Sequence, residues 1–171
     1  MAKRISMREY QAALSERLSS AAVTASTATV LGVAIGEDRW LVHMNDVSEV
    51  LPLPELAPVP LTRPWFRGVA NVRGNLYGIT DLAAFLGGAR TPPGLETRIL
   101  LASPRLGVNS GLLVKRMLGI RNLADFKRMD DDAPQSRPGS AGFYQDGEGQ
   151  RWLELNLRDL LRDETFLQVA A

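Results

Sequence analysis

The sequence predicts a mainly β protein built from antiparallel sheets or barrels. Three observations carry that prediction. Apolar residues alternate with a period of two along several short runs. Turn signals separate those runs: GED at 36–38, GN at 74–75, PRLG at 104–107 and DGEG at 146–149. No strand–helix unit repeats, so nothing points to a parallel α/β sheet.

The 171 residues suit one domain with appended ends. Twenty basic residues against 19 acidic ones leave a net charge of +1, which demands neither a nucleic acid nor an anionic membrane. The absence of cysteine excludes disulfides, thiol catalysis and cysteine-rich zinc sites, and fits a reducing cytoplasm. A single histidine, His43, rules out a histidine metal cluster. Arg8, Glu9 and Glu16 interrupt any apolar signal-peptide core, and no apolar run reaches the ~18 residues of a membrane span.

Ser6 and Glu9 have capping-box spacing, and Met7, Tyr10, Leu14 and Leu18 recur at helical steps. A helix is expected over 7–21, with SSAAVTASTAT as a joint behind it. From Thr29 the period becomes two, giving a strand, a turn at GED, and a second strand through Trp40, Val42 and Met44. Five prolines between 52 and 64 make the next segment an extended connection, since proline offers no ladder donor.

GVANVRGNLYGITDLAAFLG follows, read as a hairpin turning at Gly74–Asn75. That turn pairs Val72 with Tyr77, Ala70 with Ile79 and Gly68 with Asp81. Ala70, Val72, Tyr77 and Ile79 then face the core, and Arg73 points away from it. Asp81 caps a short helix closed by Gly87 and Gly88. RILLAS and NSGLLVKRMLGI form a further strand pair, RMDDDAPQSRPGSAG reads as a loop, and GFYQ and RWLELN flank DGEG as a last hairpin. A short helix and an apolar tail end the chain.

Chemistry is scarce along this chain. His43 sits mid-strand without a nucleophile elbow anywhere in the sequence, and reads as an ordinary strand histidine. Glycines 68, 74 and 78 match no phosphate loop. The aspartates at 130–132 lack EF-hand spacing. Arg63, Arg67 and Arg73 beside Trp65 and Phe66 leave a single-stranded nucleic-acid surface as an alternative. No metal, no organic cofactor and no enzyme activity are expected.

The residues 67–87 resemble the hallmark string of the CheW-like domain family. Arg67 and Gly68 fill its basic–glycine step, Asn71 to Gly74 its NLRG, and Asp81-Leu82 and Leu86-Gly87 its DL and LG. VLGVAIGEDRWLVHMNDVSEVL resembles the family's opening hairpin, with Val47 and Glu49 at its valine and glutamate positions. Gly78 replaces a proline of the family pattern, and Lys115 an aspartate. The resemblance implies two small five-stranded β-barrels sharing a core over 28–165, a helical extension over 1–27 and a tail over 166–171. It implies a cytoplasmic, non-catalytic adaptor. Such an adaptor is a monomer alone, assembled into arrays, where it couples chemoreceptor tips to the regulatory domain of a CheA-type histidine kinase. The contacts implied are Val47, Glu49, Arg67, Gly68, Asn71, Val72 and Arg73, with Leu53 and Leu56 as further candidates for the kinase. The wording of the motif and the long N-terminal segment resemble the PilI-type branch, which serves type IV pili and twitching motility. A flagellar chemotaxis adaptor is the alternative.

Overall fold

The computed structural model describes residues 29–129 and 137–171. The helix expected over 7–21 and the aspartates at 130–132 lie outside the described residues. The chain runs β1 (Thr29–Ile35), β2 (Asp38–His43), β3 (Val47–Pro52), β4 (Phe66–Val72), β5 (Asn75–Asp81) and α1 (Leu82–Phe85). It continues with β6 (Arg98–Ala102), β7 (Ser110–Val114), β8 (Arg116–Asn122), β9 (Lys127–Met129), β10 (Ser140–Gln145) and β11 (Arg151–Leu155). Helices α2 (Leu157–Leu160) and α3 (Glu164–Leu167) complete it. The fold is mainly β, as the sequence predicts.

Two sheets form, in the orders β8-β1-β2-β11-β10-β9 and β3-β6-β7-β5-β4. One has six strands rather than five. Strand alternation explains the core. Along β1 and β2, Leu31, Val33, Trp40 and Val42 point one way, and Val30 and Leu41 the other. Along β6 and β7, Leu100, Leu112 and Val114 oppose Ile99, Leu101 and Leu113. The first face of each sheet contributes to one large core shared between them, together with Leu82, Leu157 and Leu160 of the helices. The second face of each sheet curls around a small core of its own. Central strands buried on both faces need apolar residues at nearly every position, as β7 shows with five buried residues in five.

Neither sheet is closed by a strand ladder. The chain itself spans each opening. Strands β3 and β4 are consecutive in sequence yet lie at opposite edges of the five-stranded sheet. The segment between them crosses the gap and pairs Ala57 with Val69 through backbone hydrogen bonds of 2.8 and 2.9 Å. Likewise β8 and β9 are the two edges of the six-stranded sheet, joined by the 3-10 turn Leu123–Asp125.

The two sheets repeat one plan. In each, an antiparallel hairpin (β1–β2 or β6–β7) lies parallel to the inner strand of another hairpin, β11 or β5. In each, that strand runs straight into a one-turn helix capped by its last polar residue: Asp81 Oδ1 accepts from Ala84 N at 3.4 Å, and Asn156 Oδ1 from Asp159 N at 3.2 Å. The halves exchange strands. β3, from the first half, pairs with β6, and β8, from the second half, pairs with β1.

Several local expectations are corrected. The sheets contain two parallel pairs, β2–β11 and β5–β7, because those pairs join strands from different halves and need no local crossover. NSGLLVKRMLGI is two strands in two sheets; the break falls at Lys115, whose N–H donates to Ala34 O at 2.9 Å. The proline-rich connection begins as the edge strand β3, where Pro52 costs no central ladder bond. Residues 166–171 are no separate tail: Phe166 is buried in the shared core, and Ala170 pairs with Thr62.

Candidate protein-recognition site

The hairpin β4–β5 turns one residue earlier than GN suggests. Val72 pairs with Asn75, Ala70 with Tyr77 and Gly68 with Ile79. The central turn residues are Arg73 and Gly74, with φ of +52° and +86°. Two positive φ values are what a two-residue hairpin turn of type I′ requires, and Asn71 Oδ1 fastens it by accepting from Gly74 N at 2.9 Å. The register therefore differs by two from the expected one. An even shift keeps every side chain on its face, so Ala70 and Ile79 remain buried and Tyr77 remains packed on the small core. Arg73 is a turn residue, not a residue of the outer face.

From that turn the Arg73 guanidinium reaches across the sheet opening to Glu49 on β3. Two parallel hydrogen bonds of 2.7 Å join the pair, Nη1 to Oε2 and Nη2 to Oε1. The Arg73 side chain is 75% exposed and that of Glu49 27%, so the pair is presented to solvent. A bulge between Val47 and Glu49 locally re-aims β3, and Ser48 Oγ donates to the carbonyls of Leu101 and Ala102 there. Leu76, 62% exposed, stands opposite Asn71 beside the turn.

The candidate residues thus divide. Glu49, Asn71 and Arg73 meet at one exposed place. Val47, Val72, Leu53 and Leu56 are half-buried: Val47 packs on the shared core, the other three on the small one. Arg67 and Gly68 serve the fold. Arg67 Nη1 points inward, 3.2 Å from Asp81 Oδ2 and 3.1 Å from the Thr91 carbonyl. Asp81 is fully buried and also accepts from the Thr91 N–H and hydroxyl at 2.7 and 2.8 Å. Gly68 has φ +122°, and a Cβ there would sit 2.3 Å from the Ala57 carbonyl oxygen. Leu76 was not among the candidates, although its place on the polar face of the hairpin marks it as an exposed leucine.

Elsewhere, His43 Nε2 lies 2.7 Å from Glu154 Oε1, and Tyr144 donates to Glu154 Oε2 at 3.3 Å. The hydrogen bond from His43 holds the Glu154 carboxyl below its ordinary range against the opposing effect of burial. Burial, followed by the Glu154 charge, pushes the Tyr144 hydroxyl up. Arg63, Arg67 and Arg73 form no cationic patch, since Arg67 is inward and Arg73 is paired. Among the described residues, no group of acidic or histidine side chains could hold a metal, and no helix is long and apolar enough to cross a membrane.

An exposed charged pair stands on a two-sheet β scaffold. The model of the CheW-like domain matches residues 29–165, and the chain belongs to that family. It is 32% identical over 145 residues to Protein PilI of Pseudomonas aeruginosa, covering 82% of this chain and 79% of that protein. It is 27% identical over 96 residues to Chemotaxis protein CheW of Thermotoga maritima, covering 56% and 62%. Its fold is similar to the crystal structure of scaffolding protein TtCheW from Thermoanaerobacter tengcongensis. The TM-score is 0.69 and the identity 17%, over 81% of this chain and 95% of that one. The chain is a CheW-like adaptor of chemosensory signalling.

Proposed function

We propose that this adaptor is cytoplasmic and non-catalytic. It couples chemoreceptor tips to the regulatory domain of a CheA-type histidine kinase, in a system that controls type IV pili and twitching motility. One observation carries the coupling role. Arg73, a non-glycine residue in a left-handed turn, projects its guanidinium into solvent in a bidentate pair with Glu49. A backbone conformation that disfavours arginine is retained where the side chain is presented outward. A partner carboxylate can compete for that planar fork. Asn71 and Leu76 flank it, giving a polar and an apolar contact beside the charge. The longer and closer similarity to PilI than to the Thermotoga maritima chemotaxis protein supports the pilus output over the flagellar one.

The test is reconstitution with the cognate receptor and kinase. Arg73→Ala removes a surface pair worth about 0–1 kcal/mol, so the melting temperature moves by no more than about 4 °C. Receptor control of kinase activity is lost, and Arg73→Glu is worse. Normal control with both variants refutes the role. Deleting the gene abolishes twitching and spares swimming if the output is pilar; the reverse result assigns the flagellar branch.

A further inference from the structure

A pocket of about 320 Å³ lies at the seam between the two halves of the chain. Arg63, Trp65 and Phe85 reach it from the first half, and Pro138, Thr165 and Gln168 from the second. It sits at the end of β4 remote from the Arg73 turn, since Trp65 immediately precedes that strand. Backbone bonds fix its frame: Arg63 N donates to Val169 O at 2.8 Å, and Thr62 pairs with Ala170. Packing fixes its aromatic wall. Trp65 and Phe85 meet edge to face, their centroids 5.1 Å apart and their planes at 83°. Buried Phe166 backs both rings, edge-on to Phe85 at 5.2 Å and nearly parallel to Trp65 at 6.2 Å. Trp65 and Phe85 themselves are only half-buried.

Charge, shape and size together select an occupant. Among the described residues lining the pocket, Arg63 carries the only charge, and its guanidinium is in no ion pair and no hydrogen bond. The Gln168 side-chain amide is likewise unengaged. The carboxylate of Asp163, two residues before Thr165, is turned onto the start of α3. Its Oδ1 accepts there from the Thr165 hydroxyl and from the N–H groups of Thr165 and Phe166, the latter two at 2.9 and 3.2 Å. Aromatic walls alone would suit a cation, but Arg63 sets the opposite sign. A flat ring laid against one of two perpendicular rings meets the other edge-on, and both arrangements are favoured. The volume lies just above the ~300 Å³ at which small-molecule sites begin. We propose that the pocket binds a small aromatic carboxylate. Its ring lies against Trp65 and Phe85, and its carboxylate takes the Arg63 guanidinium, with the Gln168 amide as a second donor. Because both halves line the site, the ligand ties them together and stabilises the folded adaptor by mass action.

The probe is sodium phenylacetate, titrated into the isotope-labelled full chain while the indole N–H signals of its three tryptophans are followed by NMR. Phenylacetamide, which lacks the charge, and cyclohexylacetate, which lacks the aromatic ring, are run in parallel. Phenylacetate shifts the Trp65 indole signal saturably, leaves those of Trp40 and Trp152 in place, and raises the melting temperature as occupancy rises. Phenylacetamide binds at least about tenfold more weakly, having lost the charge-assisted bonds. Cyclohexylacetate binds about three- to tenfold more weakly, having lost the ring contacts. Arg63→Gln, whose fold is checked by unchanged Trp40 and Trp152 signals, loses about tenfold in affinity for phenylacetate. Arg63→Lys, which keeps the charge but not the fork, loses less. Equal binding of either analogue, undiminished binding by Arg63→Gln, equal movement of all three indole signals, or no saturable shift overturns the proposal. None of these outcomes touches the role of Arg73.

Discussion

Arg73 holds a backbone conformation whose strain its own ion pair does not offset. A left-handed conformation costs an ordinary L-residue about 1–2 kcal/mol, and an exposed ion pair returns about 0–1. Arg73→Gly therefore leaves thermal stability unchanged or raises it by about 1 kcal/mol while abolishing receptor control of the kinase. A calorimetric scan beside a kinase assay measures both. Asp81 behaves oppositely. Its removal strands the inward Arg67, so Asp81→Ala costs about 3–5 kcal/mol in urea unfolding. Glu154 adds a pH dependence. Its pKa is depressed in the folded state, so the stability it supplies is present above the ordinary glutamate value of about 4.3. That stability is lost as pH falls through the folded value. Glu154→Gln flattens the urea midpoint against pH below about pH 4. Little of this was legible residue by residue. Arg67 sits beside a glycine in a motif and reads as a contact, but its partners Asp81 and Thr91 lie 14 and 24 positions away. Glu49 was legible only through the family resemblance, since no local pattern links positions 24 apart.

The elements themselves were largely written in alternation and turn chemistry. β1, β2, β10 and β11, and the Asp81 cap on α1, fall where period and turn residues place them. The failures have two causes, one local and one distant. GN at 74–75 is a good turn by itself, yet the Asn71 side chain closes the turn on Gly74, and Arg73 takes the other central place. NSGLLVKRMLGI reads as one strand because both of its parts are strands; only the partner sheets differ. Gly68 tests how the five-stranded sheet is completed. Gly68→Ala drives a Cβ into the Ala57 carbonyl at a φ of +122°, which destabilises by more than about 1 kcal/mol. Hydrogen exchange at the Ala57 and Val69 amides should accelerate more than exchange in β6 and β7. Equal acceleration everywhere would show that the crossing segment is not a local closure.

At the scale of the molecule, composition and alternation disclosed a β fold but not the exchange of strands. Nothing in a strand's own residues states which hairpin it will join. Because β3 pairs with β6 and β8 with β1, each sheet draws on both halves of the chain. Unfolding is accordingly expected as one transition. Trp40 in the shared core, Trp65 against Phe85, and Trp152 in the small core of the six-stranded sheet sit in different regions. Single-tryptophan variants retaining each in turn should give coincident denaturant midpoints. Separate midpoints would mean that the sheets are independent domains.

The same exchange has a consequence for cutting the backbone. The loop between α1 and β6 contains Leu95, which is 97% exposed, and divides the two halves. A nick there severs no sheet. It leaves two fragments, each carrying strands that only the other can complete. Produced separately, neither fragment should be cooperatively folded; mixed, they should reassemble by complementation and regain the Arg73–Glu49 surface, whose residues both lie on the first fragment while the sheet beneath them comes partly from the second. The adaptor would then work as a split reporter, its signal reading whether two proteins fused to the fragments have met.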